Sequence, residues 1–272
     1  MLELPEILTL MEQLNQKVKG RMVCRVLPPV KPHKFCWFTG DPAEYDAALR
    51  GHTVCGAEGL GMFADILFTG DLRLTLCDGV HVRLVPADQA PKNYQLLIEL
   101  DDGTALVFTV AMYGGVHLHG KDFDNPYYEK SRKALSPFSP EFPSHFMKKL
   151  IGSKGTLSAK AFLATEQRFP GIGNGVLQDI LFEARVHPKR KVASLHPEEK
   201  EALLNAVIST LRTMAEQGGR DTERDLFENP GGYVTKMSKN TWKSGCPVCG
   251  GPITKEAYLG GSVYYCPCCQ KL

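Results

Sequence analysis

The apolar residues Ile7, Leu8, Leu10, Met11, Leu14 and Val18 recur at the three-to-four spacing of a single helix face, predicting a helix over 7–19. Pro5 and Glu6 just before it suit a first turn, where a missing N–H costs nothing and a carboxylate complements the helix dipole. From about residue 20 to 120 the chain turns to short β-rich runs such as RMVCRVL, DLRLTLCDGVHVRLV and YQLLIELDDGTALVFTVAMY. Asp78-Gly79 and Asp102-Gly103 stand between apolar runs, where hairpin turns belong. A β-sandwich or barrel with the opening helix packed on it is expected. The stretch DNPYYEKSRKALSPFSPEFPSHF holds four prolines among polar residues and reads as a linker, placed at 126–142. Helical spacing returns near 143–151, 157–167, 174–184 and 197–217. Pro197, Glu198 and Glu199 open the last of these, and Gly218-Gly219 stop it.

The chain is therefore expected to be α+β and multidomain, with a β domain over 1–125, a helical domain over 143–240 and a cysteine-rich terminus over 241–272. At 272 residues and 43% hydrophobic content it can bury two ordinary cores. No stretch approaches 18 consecutive apolar residues, and the acidic start lacks the basic region of a signal peptide. These features predict a soluble, intracellular protein. Residues 1–144 hold 14 Lys and Arg against 18 Asp and Glu, and residues 145–272 hold 18 against 12. The basic second half is consistent with a polyanion partner or with solvated faces.

Five of the nine cysteines lie in the last 27 residues, a clustering that indicates a metal site in a reducing compartment rather than a disulfide framework. Cys246 and Cys249 form one Cys-x-x-Cys knuckle and Cys266 and Cys269 another. Two such knuckles can present four thiolates tetrahedrally to a structural zinc ion, with Cys268 as the spare or as an exchange for Cys269. The segment between the knuckles, GGPITKEAYLGGSVYY, predicts a hairpin with an exposed tip. A second signal is RFPGIGNGVLQDILFEARVHPKR, in which Gly171 and Gly173 shape a tight turn and Asn174 opens a helix. Such a turn serves as a helix cap or as a phosphate site built from backbone amides.

Three pieces together resemble the formamidopyrimidine-DNA glycosylase/endonuclease VIII family: ELPE at 3–6, PGIGN at 170–174 with DILFEARVHPKR behind it, and the terminal CPVCGGPI…YYCPCCQ. With the linker LSPFSPEF they follow the family's order and span essentially the whole chain. The resemblance implies an N-terminal β-sandwich, a helix-two-turn-helix domain that binds double-stranded DNA, and a zinc finger that grips it. It further implies extrusion of a damaged base, cleavage of its glycosidic bond and strand nicking through a Schiff base. Asn174 and the amides of Gly171 and Gly173 match the family's phosphate clamp. Lys160 falls where the family often has a basic residue, and Arg190 adds charge nearby with Arg185, Lys189 and Lys191.

The same comparison marks departures. The family's N-terminal proline, whose amine attacks the sugar, is replaced by Leu2, whereas the glutamate that follows is kept as Glu3. Leucine in second place normally blocks removal of Met1, which leaves the free amine one residue early. The family's hairpin lysine aligns with Met62 in GLGMF and its finger arginine with Gly261. In the strand that supplies an Arg-Phe wedge this chain has Met112 and Tyr113, which fill the gap in the duplex or belong to the core. Leu2, Glu3 and Glu6 are thus the candidate catalytic residues, or the two glutamates simply cap the helix. Three functions stay open: a base-excision DNA glycosylase of weak or absent abasic-site lyase activity, an inactive binder of damaged, abasic or branched DNA, and an RNA-binding zinc protein. A monomer in the bacterial cytoplasm, associated with the nucleoid, is expected.

Overall fold

The computed structural model describes residues 2–272, so the Met1 amine lies outside the described residues. The chain forms two compact units, one running to Arg132 and taking in Glu223–Pro230, the other holding Lys133–Thr222 and Gly231–Leu272. No helix among the described residues is long and apolar enough to cross a membrane.

In the first unit, helix α1 covers Leu4–Lys17, with Glu3 in extended conformation at its N-cap and Pro5 in its first turn. Ile7, Leu10, Met11 and Leu14 are buried, which is the face that the sequence periodicity marks. Asn15 fixes the helix on the sheet, donating to Ala57 O and accepting from Ala57 N, both at 2.9 Å. The sheet holds β1 (Val23–Leu27), β2 (Cys36–Phe38), β3 (Val54–Leu60), β4 (Phe63–Phe68), β5 (Leu72–Pro86), β6 (Leu96–Leu100) and β7 (Thr104–His119), and a short α2 (Tyr45–Leu49) lies between β2 and β3. Its order is β1-β6-β7-β5-β4-β3, with β2 parallel to β7. Met22 and Thr53, just ahead of the two edge strands, bridge to each other, so one continuous sheet folds round until its edges meet.

Two local expectations need correction. Asp102-Gly103 is the turn between β6 and β7, but Asp78-Gly79 is no turn. β5 runs straight through it, because β7 pairs on both sides, Cys77 with Gly115 and Val80 with Val110. The irregularity falls mainly on β7, where residues 111–113 bulge outward and Asp78 takes a positive φ of 58°. The linker likewise contains a helix, α3 (Pro126–Arg132). Asn125 Oδ1 accepts from Tyr127 N and Tyr128 N at 3.0 and 3.1 Å, so Pro126 starts a capped helix rather than breaking one.

The second unit contains α4 (Phe142–Ile151), α5 (Ala159–Ala164), α6 (Val176–Glu183) and α7 (Pro197–Glu216), followed by the hairpin β8 (Thr254–Tyr258) and β9 (Gly261–Tyr265). Phe142, Phe146, Phe162 and Phe169 pack ring against ring, with centroids 5.1–5.9 Å apart. All four are nearly or fully buried. A smaller cluster of Phe182, Met237, Ile253 and Tyr264 with Cys246 and Cys266 seats the hairpin on α6.

Candidate active site and metal centre

At the N-terminal end of the first unit, the Leu2 amide donates to the Asp78 carbonyl at 2.8 Å, and its side chain packs on the sheet core. The left-handed backbone at Asp78 belongs to the β5–β7 irregularity, so a feature of the sheet holds the segment ahead of α1. Glu3 and Glu6 are 3% and 7% exposed, deep for carboxyl groups. No side-chain capping bond forms from Glu3 to the helix. The simple capping role therefore does not describe Glu3.

Met62 packs with Leu60, Phe63, Cys77 and Tyr128 in a small apolar cluster. Met112 and Tyr113 are 72% and 38% exposed, which removes them from the core. Burial raises the Tyr113 hydroxyl pKa, and the neighbouring Asp78 and Cys77 raise it further.

In the second unit the four paired cysteines converge, with all four sulfurs within 4.8 Å of one another. Cys246 and Cys269 stand 3.8 Å apart, and Cys249 and Cys266 3.5 Å. Four thiolates about 2.3 Å from a tetrahedral zinc ion are separated by roughly 3.8 Å, so the donor set fits that ion. Cys269 rather than the exposed Cys268 completes the set. The Gly251 amide, followed by Cys266, draws the Cys249 thiol down to about 7, toward the thiolate that metal binding requires.

The hairpin is tied to the glycine turn through its backbone carbonyls. Asn174 Nδ2 and Gln178 Nε2 both donate to Ser262 O at 3.1 Å, and Gln178 Oε1 accepts from Tyr264 N at 3.0 Å. At Gly261 a Cβ would lie 3.1 Å from Asn174, so the position that lost the expected arginine is pressed against the turn. Gly171 is buried with a φ of 94°, a left-handed conformation that glycine adopts without strain. Lys160 is 3% exposed and donates to Tyr258 O at 2.5 Å. Burial lowers its ammonium pKa. Arg190 is elsewhere engaged, in a two-pronged pair with Glu199 at 2.6 and 2.7 Å. Lys189 pairs with Glu256 at 2.6 Å.

Sequence reasoning passed over Arg220. It is 3% exposed and fills the space beside Gly175, where an added Cβ would come within 1.5 Å of Nη1. The second Gly-x-Gly of PGIGNG is the only signal that points to such a close approach. Basic residues also line a groove of about 500 Å³ that includes Lys148, Lys149, Lys154 and Arg168, part of the positive excess in the second half.

Residues 134–225 match the formamidopyrimidine-DNA glycosylase H2TH domain. The formamidopyrimidine-DNA glycosylase of Symbiobacterium thermophilum is 30% identical, over 98% of this chain and 88% of its own length. That of Cytobacillus firmus is 26% identical, over 98% and 99%. Among solved structures, Lactococcus lactis Fpg in complex with abasic-site DNA superposes with a TM-score of 0.85 at 22% identity, covering 99% of this chain and 100% of that one. With its sheet unit, its H2TH domain and its four-cysteine cluster, the chain belongs to the formamidopyrimidine-DNA glycosylase family.

Proposed function

We propose that this protein is a base-excision DNA glycosylase that binds damaged duplex DNA and releases a damaged base with the help of Glu3, while cleaving abasic sites weakly or not at all. The single observation that carries this reading is the buried Glu3, retained next to a chain start that is pinned by the Leu2–Asp78 hydrogen bond. The relatives named formamidopyrimidine-DNA glycosylase and the Lactococcus lactis protein bound to abasic-site DNA support the substrate class. Asn174 and the glycine turn at 171–173 supply the phosphate contacts, which set affinity and position rather than sequence choice, while the buried Lys160 acts behind them by holding the finger hairpin at Tyr258 O. One structural zinc ion holds the finger through Cys246, Cys249, Cys266 and Cys269.

Base release is the lighter demand. A general acid–base group contributes typically about 10²–10⁴-fold, and Glu3 can hold or move the proton at the sugar while water or a primary amine attacks. β,δ-Elimination requires a well-placed amine and cations on the departing phosphates. Met62 sits in an apolar cluster and Gly261 carries no side chain, so neither of those positions supplies a cation. An amine at Leu2, exposed by loss of Met1, would have a pKa near about 7.7–8.0. It would first have to release the Asp78 carbonyl. That hydrogen bond also favours a second reading, an inactive binder of damaged or abasic DNA.

The test uses duplexes carrying ring-opened, oxidised or abasic residues, with strand breaks scored before and after alkali. Breaks seen mainly after alkali, and lost in Glu3→Gln, are expected. Robust direct nicking with a borohydride-trapped adduct at the N-terminus would overturn the weak-lyase assignment. Tight binding with no base release from any substrate would establish the inactive binder.

A further inference from the structure

Strand β2 alternates across the sheet. Cys36 and Phe38 pack on the core, so Phe35 and Trp37 fall on the other side, where they are 48% and 49% exposed. The register neighbour of Trp37 on β7 is Gly115, which offers no side chain to cover the indole. Beyond it, the outward bulge of β7 delivers Tyr113, whose ring centroid lies 6.2 Å from that of Trp37 with the planes tilted by 50°. Met112, with a φ of 36°, stands furthest out. Large apolar side chains left this open cost solubility and mark an interaction surface.

The cations alongside indicate what covers it. Lys31, His33 and Lys34 immediately precede Phe35 and Trp37, and residues 28–40 contain no acid. Lys34 Nζ lies 5.4 Å from the Phe35 ring centre. The adjoining groove, about 380 Å³, is lined by Lys31, His33, Tyr94, Gln95 and Thr109. Open aromatic faces bordered by lysines suit stacked bases whose phosphates need neutralising, whereas an aliphatic protein surface would gain nothing from the lysines. The platform also adjoins the chain start: a Cβ on Gly79 would stand 2.6 Å from the Tyr113 carbonyl, and the preceding Asp78 holds Leu2.

We propose that Trp37 and Tyr113 form a stacking platform that takes an unstacked base of the bound nucleic-acid strand, with Lys31 and Lys34 on its phosphates. This rests on the DNA-binding reading above and adds Trp37 as a residue that selects distorted over regular duplex. Stacking on one aromatic side chain changes affinity by roughly 5- to 150-fold.

The test compares wild type, Trp37→Phe and Trp37→Ala on an intact duplex, the same duplex with one unpaired base, and oligothymidylate. Wild type should prefer the unpaired-base duplex, and Trp37→Ala should lose that preference about ten-fold or more while its affinity for intact duplex changes less than about two-fold. Trp37→Phe should keep most of it. Tryptophan emission should be quenched by oligothymidylate more strongly in wild type than in Trp37→Phe, which keeps only Trp242, a readout that does not depend on the alanine variant folding. Equal preferences in all three proteins with equal quenching of wild type and Trp37→Phe would overturn the platform but leave DNA binding intact. If wild type binds no nucleic acid, both proposals fall. Loss of self-association as the only effect of Trp37→Ala would make the face a contact between copies and overturn the platform.

Discussion

The side-chain amide of Asn174 donates to the Ser262 carbonyl at 3.1 Å, so the residue that follows the glycine turn is held by the finger. The hairpin's shape depends on the four-cysteine centre, because metal-site free energy is folding free energy in a segment this small. Chelating the metal should therefore disorder β8 and β9 and release Asn174, Gln178 and Lys160 together. Duplex affinity should fall, and Asn174→Ala, damaging in the metal-loaded protein, should have almost no further effect in the stripped protein. Fluorescence anisotropy at fixed salt with and without chelator checks this. Equal effects of Asn174→Ala in both forms would show that the turn acts without the finger.

Gly175 and Arg220 form a second coupled pair. With the guanidinium occupying the space of a Cβ at 1.5 Å, Gly175→Ala must push Arg220 aside. Alone it should destabilise the protein, and once Arg220 is alanine the same change should cost little. A double-mutant cycle by urea unfolding should give a coupling of about 0.5–3 kcal/mol. Simple additivity would mean that Arg220 moves without consequence.

Much of this was legible along the chain because its signals are local. Paired cysteines three residues apart, an apolar face on α1 and a glycine turn ahead of a helix declare themselves within ten residues. What escaped depends on contacts between distant segments. Arg220 lies 45 positions from Gly175 in the sequence, and Trp37 meets Tyr113 only because β2 adds to β7 in parallel. Arg190 looked available for a polyanion because nothing nearby in sequence shows that Glu199 neutralises it at 2.6 Å. Asp78-Gly79 has turn chemistry, but two stretches of β7 pair on either side of it and the strand continues. Glu223–Pro230 leaves the helical region for the first unit, where Leu226 enters the sheet core and its amide donates to Gln13 Oε1 at 2.9 Å.

Asp65 tests how much a buried carboxylate holds together. It is fully buried and accepts from Tyr128 Oη at 2.5 Å, Thr75 Oγ1 at 2.6 Å and Arg73 Nη1 at 3.0 Å. This joins β4, β5 and α3. Asp65→Asn removes one of the two carboxylates that Arg73 faces, and because Arg73 is partly exposed and keeps Glu58 at 3.3 Å, the loss should be about 2–3 kcal/mol, the scale of hydrogen bonds to a charged group. Tyr128→Phe removes a single donor and should cost about 1–2 kcal/mol. Urea unfolding of both variants checks the ranking, and a smaller loss in Asp65→Asn than in Tyr128→Phe would contradict it.

His117 gives the stability a pH dependence whose sign follows from its surroundings. Burial, and then the neighbouring His119, hold its imidazole down to about 4 from an ordinary 6.5. The unfolded chain therefore binds a proton between those values that the folded chain refuses, and stability rises with pH across that window. The contribution is complete above about 6.5, is lost progressively as pH falls toward 4, and amounts to at most about 3 kcal/mol. His119, His81, His145 and His187 are lowered too, each chiefly by burial, so the wild-type slope cannot be assigned to one ring. The difference between wild type and His117→Gln can. Its unfolding free energy, measured from pH 7.5 to 4.5, should fall less steeply than that of wild type, with the two curves converging toward the acid end. Parallel curves would mean that His117 titrates normally in the folded protein, and the acid sensitivity would then belong to the other four rings together with the carboxylates held low by their partners, Glu199 and Glu256 among them.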